Sequence, residues 1–124
     1  MIFKWAITLI NLGHQPNSLK IHFDTNQYLR ELVKGKSYFH TFINKDSLAA
    51  GILRLEPRED DTQTQHDNDE IYYVVRGDGF LNIDGKDYSL SEGMSYYVAK
   101  NVKHKFHGNK TELIVLYFFG GSDS

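Results

Sequence analysis

Residues 70–90 read EIYYVVRGDGFLNIDGKDYSL, and this stretch decides the fold. Three runs, EIYYVVRG, FLNID and DYSL, are rich in aromatic and β-branched residues and are separated by Gly77-Asp78-Gly79 and Asp84-Gly85. Glycine and aspartate there supply the positive φ that tight turns between strands require. The pattern predicts antiparallel strands joined by hairpins. Working outward, SYFHTFI (37–43), LAAGILRLE (48–56), SYYVA (95–99), KHKFH (103–107) and ELIVLYFF (112–119) have the same character. Helix signals occur once: Asp24 and Thr25 can cap a short helix in which Tyr28, Leu29, Leu32 and Val33 recur at three- and four-residue spacing, and Gly35 stops it. About eight short strands after one N-terminal helix predict an all-β jelly roll or closed barrel, architectures that limit exposed strand edges.

The chain has 124 residues, enough to bury one core without metal or disulfide staples. A single domain is expected over residues 21–124. Fourteen basic residues stand against 16 acidic ones, which argues against a broad basic surface for nucleic acid or anionic lipid. The absence of cysteine excludes a disulfide framework, a thiolate metal site and a cysteine nucleophile. The opening MIFKWAITLINLG is apolar, but Lys4 and Asn11 interrupt it, it is too short to span a bilayer, and no small-x-small cleavage site follows. Residues 1–20 are read as a leader or a dimerisation strand, and the cytoplasm is the default location.

Strand parity sorts the charged residues by face. A strand beginning at Glu70 places Glu70, Tyr72 and Val74 on one side and Ile71, Tyr73 and Val75 on the other. In KHKFH, His104 shares a face with Phe106 while Lys103, Lys105 and His107 point outward. An inward glutamate and an inward histidine need partners, because burying a polar group alone is costly. His66, four residues before Glu70, is near enough to supply one. Two histidines and one carboxylate suit a divalent first-row metal with open coordination positions. The alternative is a metal-free barrel whose polar interior is satisfied by hydrogen bonds and water. His14, His22 and His40 show no partner pattern. The acidic runs EDD (59–61) and DNDE (67–70) fit no EF-hand spacing and read as a solvated loop. Tyr72 and one of Tyr96 and Tyr97 are expected in the cavity lining, although core packing explains these rings equally well.

GILRLEPREDDTQTQHDNDEIYYVVRGDGF (51–80) and EGMSYYVAKNVKHKF (92–106) resemble the two motifs of the cupin superfamily, small β-barrels with a metal inside. His66, Glu70 and Gly77 match the second half of the first motif, while Thr64 stands where its first histidine belongs. Gly93 and His104 match the second motif, with Ala99 and Asn101 replacing its proline and glycine. The resemblance implies a double-stranded β-helix with His66, Glu70 and His104 as metal ligands. For the vacant fourth position, Gln63 or Gln65 could supply an amide oxygen, or the Thr64 hydroxyl could hold a water. Regular parity turns Thr64 the same way as His66, whereas Gln63 needs a bulge. The resemblance further implies iron, manganese, nickel, copper or zinc as cofactor, a small-molecule substrate or ligand, and a homodimer, while the charge balance leaves neither nucleic acid nor membrane as an expected partner. Three functions follow. An oxygenase ranks first, because three protein ligands leave room for dioxygen and substrate together. The second is an isomerase, epimerase or lyase in which Tyr72 or Glu70 carries a proton. The third is a non-catalytic barrel that binds a small ligand.

Overall fold

The computed structural model describes residues 20–123. The expected leader or dimerisation strand, and His14 with it, lie outside the described residues apart from Lys20. Helix α1 spans Thr25–Lys34; the Asp24 side chain caps it by accepting from the Gln27 amide at 3.1 Å, and the Gly35 amide closes it on the Glu31 carbonyl at 2.9 Å. Eight strands follow: β1 (Phe39–Lys45), β2 (Leu48–Leu55), β3 (Glu70–Arg76), β4 (Phe80–Ile83), β5 (Lys86–Ser89), β6 (Ser95–Val98), β7 (His104–His107) and β8 (Leu113–Phe119). Each coincides with one of the strand segments expected from composition. Among the described residues, no helix is long and apolar enough to cross a membrane.

The strands form two antiparallel sheets, a five-stranded one in the order β1-β2-β8-β3-β6 and a three-stranded one in the order β5-β4-β7. This is the jelly roll, or double-stranded β-helix. Asp84 and Gly85, at φ 49° and 88°, make the two-residue turn between β4 and β5 that their types demand. Gly77-Asp78-Gly79 does something else. It carries the chain from β3 in one sheet to β4 in the other, so the expected hairpin is a crossover. Gly77, at φ 115°, passes so close to the Glu112 carbonyl that a Cβ would stand 2.5 Å from it, and Asp78 fastens the crossing by accepting from the Lys110 and Thr111 amides.

Inward residues of both sheets meet in one core that includes Leu53, Tyr72, Val74, Leu81, Phe106 and Val115. β3 alternates cleanly, with Glu70, Tyr72 and Val74 buried and Ile71, Tyr73 and Val75 exposed. β2 is buried on both faces because α1 covers its outer side, pressing Leu32 against Ile52 and against Ile114 of β8. Burying a leucine in this way contributes about 1.5–3 kcal/mol.

Gly51 in β2 is a closely packed point of the five-stranded sheet. It pairs with Thr41 on one side and Tyr117 on the other, and the Tyr117 ring lies directly over it to reach the Thr41 hydroxyl at 2.7 Å. A Cβ at Gly51 would collide with that ring and stand 2.5 Å from the His40 carbonyl. Gly51→Ala should therefore destabilise the fold by about 1–3 kcal/mol in chemical denaturation, the usual cost of overpacking. A change below about 0.5 kcal/mol would show that Tyr117 does not need the space.

Candidate metal centre

Glu70 and His104 open β3 and β7, and both face inward as their parity requires, at 2% and 6% exposure. His66 lies in the loop between β2 and β3, where no strand holds it. Backbone links to two other loops do. The Asn101 amide donates to the His66 carbonyl at 2.7 Å, the Lys100 amide to the Asp69 carboxylate at 3.0 Å, and the Gly120 amide to the Asp69 carbonyl at 2.9 Å. Asn101 makes its contact from a left-handed conformation, φ 64°. Asparagine enters that region more readily than most residues, so it serves where the resembling motif has glycine.

The three side chains converge. His104 Nε2 lies 2.8 Å from Glu70 Oε1, His66 Nε2 lies 3.9 Å from Glu70 Oε2, and one ligand atom from each residue falls within 4.8 Å of the others. His104 Nδ1 donates to the Val102 carbonyl at 2.9 Å, which turns Nε2 to the centre. Burial opposes charge on this imidazole, but the hydrogen bond to Glu70 and the nearby carboxylates outweigh it and raise its pKa above the ordinary histidine value. Glu70 Oε2 is buried with no hydrogen-bond partner among the described residues. An orphaned carboxylate oxygen costs more than the roughly 1–3 kcal/mol of a neutral group left unpaired. Two imidazole nitrogens and that oxygen fit a first-row divalent cation. His66, Glu70 and His104 are thus a group able to hold a metal ion.

Gln63 reaches the same place. Its Oε1 accepts from the Tyr72 hydroxyl at 2.9 Å and lies 3.2 Å from His104 Nε2 and 3.4 Å from His66 Nε2. Residues 56–69 form a loop without a two-residue period, so parity assigns no facing there; Thr64 and Gln65 are exposed, and Thr64 borders the same cavity as His66. The acidic run is not wholly solvated either. Asp61 is 4% exposed and accepts from Gln63 Nε2 at 2.6 Å, the Tyr38 hydroxyl at 2.9 Å and the Phe106 amide at 2.8 Å. Nothing local in the sequence marks it, since Tyr38 and Phe106 are distant along the chain.

Tyr72 is buried, and its hydroxyl also lies 2.9 Å from His104 Nε2. Burial, then the neighbouring Glu70 and Asp61 carboxylates, push its pKa well above the usual tyrosine value. Tyr96 instead donates to the Ser89 carbonyl at 2.8 Å and Tyr97 is largely exposed, so neither of this pair faces the centre. His107 turns outward to Asp87 at 2.8 Å. His22 and His40 are exposed, the latter against Tyr28. A cavity of about 270 Å³ opens beside Gln63, His66 and Tyr72 and continues past Tyr38, Tyr117 and Phe119.

Comparison with known proteins agrees with this architecture. A family model described as Cupin domain matches residues 51–119. An uncharacterized protein of Streptomyces coelicolor is 30% identical over 83 residues, covering 67% of this chain and 79% of that one. An RmlC-like cupin from Shewanella frigidimarina superposes with a TM-score of 0.63 at 22% identity, covering 69% of this chain and 77% of its own. KdgF from Halomonas sp. gives 0.61 at 21% identity, with 68% and 80% covered. The DMSP lyase DddQ from Ruegeria pomeroyi gives 0.61 at 20% identity, with 67% of this chain but 46% of its own covered. At such identities these structures bear on the fold alone.

The opposite facing of the two β7 histidines makes a controlled test. His104→Ala should abolish retention of metal against a chelator, whereas His107→Ala should leave it unchanged. Equal losses in the two variants would show that the inward and outward assignments are wrong.

Proposed function

The chain belongs to the cupin family, and from that premise we propose that it binds a divalent first-row transition metal through His66, Glu70 and His104, with Gln63 Oε1 as fourth donor, and acts on a small molecule in the adjoining cavity. The observation that carries this reading is the buried, unpartnered Glu70 Oε2 beside two imidazoles. Iron, manganese, nickel, copper and zinc all suit such a nitrogen and oxygen donor set. When bound, the ion would act as a Lewis acid toward a substrate oxygen.

The protein's own groups favour polarisation of a substrate oxygen over oxygen chemistry. Gln63 Oε1 fills a direction that a three-ligand set would leave open, which removes the reason for ranking dioxygen binding first. Tyr72 lines the cavity and holds its proton firmly, because burial and Glu70 disfavour the phenolate. It is suited to donate a hydrogen bond to a substrate oxygen while keeping its own proton. Leu53 and Phe119 form apolar wall in the same cavity. An isomerase, epimerase or lyase is the reaction class that these features support.

Plasma mass spectrometry of the purified, untagged protein should find near-stoichiometric first-row metal, and the loaded protein should convert its substrate without oxygen uptake. Absence of metal even after reconstitution would overturn the metal reading and leave a ligand-binding barrel. Oxygen consumption coupled to turnover would restore the oxygenase.

A further inference from the structure

We propose that Asp61 is a positioning residue that decides which atom of the Gln63 amide faces the centre, and so whether a fourth donor exists; this rests on the metal reading above. A glutamine amide is nearly symmetric in shape, and its two ends differ completely in chemistry. The oxygen has lone pairs for a cation, and the NH2 group has none to give. Which end points inward is set by what the other end meets.

Here the other end meets a carboxylate. Gln63 Nε2 lies 2.6 Å from Asp61 Oδ2, and the Gln63 backbone amide donates to Asp61 Oδ1 at 3.2 Å. Asp61 is itself immobilised, because Oδ2 also accepts from the Phe106 amide of β7 at 2.8 Å and Oδ1 accepts from the Tyr38 hydroxyl at 2.9 Å. Flipping the Gln63 amide would bring its oxygen against the carboxylate, acceptor facing acceptor, and would turn NH2 toward the hydroxyl of Tyr72 and the imidazole of His104. The Phe106 link has a further consequence. It ties the clamp to the strand that bears His104, so the amide and the imidazole are positioned from the same element.

Asparagine at position 61 cannot reproduce this arrangement. Both carboxylate oxygens of Asp61 accept from two donors, and an amide has only one oxygen. If its nitrogen replaces Oδ2, Gln63 is drawn to present its own oxygen to position 61 and its NH2 to the centre. If its nitrogen replaces Oδ1, it faces the Gln63 backbone N–H, and the loop must shift.

The test is a double-mutant cycle on the full chain with cobalt(II) as probe, read by the dissociation constant and by the visible absorption of the bound ion. Asp61→Asn should weaken cobalt about 10–100-fold, the range typical for groups that orient a ligand, Gln63→Ala should weaken it at least as much, and both should shift the absorption band in the same direction. In the Gln63→Ala background, Asp61→Asn should add no further loss. Wild-type affinity and spectrum in Asp61→Asn would overturn the proposal, as would losses that multiply in the double variant. A measurement on the metal-free wild type covers the case in which Asp61→Asn does not fold. The Gln63 side-chain NH2 signals, identified by their loss in Gln63→Ala, should exchange with solvent far more slowly than those of exposed Gln65; equal rates would overturn the clamp. Failure of the wild type to bind cobalt or any first-row metal would instead remove the metal reading, and the donor role with it, while slow exchange of the Gln63 amide would still show the clamp.

Discussion

A carboxylate carried into a barrel interior by strand parity is the constraint on which the rest of this site depends. Glu70 begins β3, shares its face with Tyr72 and Val74, and cannot reach solvent without flipping the whole strand. One of its oxygens is satisfied by His104 and the other has no hydrogen bond among the described residues. A buried anion half satisfied is expensive, and a cation shared with two imidazoles resolves it. The surrounding residues make sense as the means of bringing those imidazoles and one amide oxygen to that carboxylate.

They do so from three pieces of chain. β3 supplies Glu70 and β7 supplies His104, each through the two-residue period of a strand. The loop before β3 supplies His66 and Gln63, and it holds its shape by contacts with its neighbours. Asn101 and Gly120 anchor the part near His66, while Asp61, bound to Tyr38 and Phe106, anchors the part near Gln63. The cavity wall connects to the same framework, since Tyr117, which crosses Gly51, stacks on Phe119, and Phe119 lies against His66.

This division explains what could be read from the residues and what could not. Strand positions were legible, and so were the facings of Glu70, Tyr72, His104 and His107, because alternation is a local rule. The short helix was legible from its cap and its apolar spacing. The role of Gly77-Asp78-Gly79 was not, because glycine-rich turn chemistry is the same whether the next strand pairs with the last or leaves for the other sheet. The burial of both faces of β2 likewise depends on α1, which local alternation cannot foresee. Gln63 was a candidate and Asp61 was missed for one reason: a loop has no period, and its side chains are aimed by partners distant in sequence, here Tyr38 and Phe106. Asn101 shows the opposite case. It departs from the family motif in identity and adopts a left-handed conformation, φ 64°, that glycine also enters readily.

Whether the unpartnered oxygen of Glu70 marks a metal position can be seen in anomalous diffraction from crystals of the metal-loaded protein. One peak is expected, enclosed by His66 Nε2, His104 Nε2, Glu70 Oε2 and Gln63 Oε1, at the absorption edge of the bound metal. A featureless map at that position, with Glu70 Oε2 hydrogen-bonded to an ordered water instead, would contradict it.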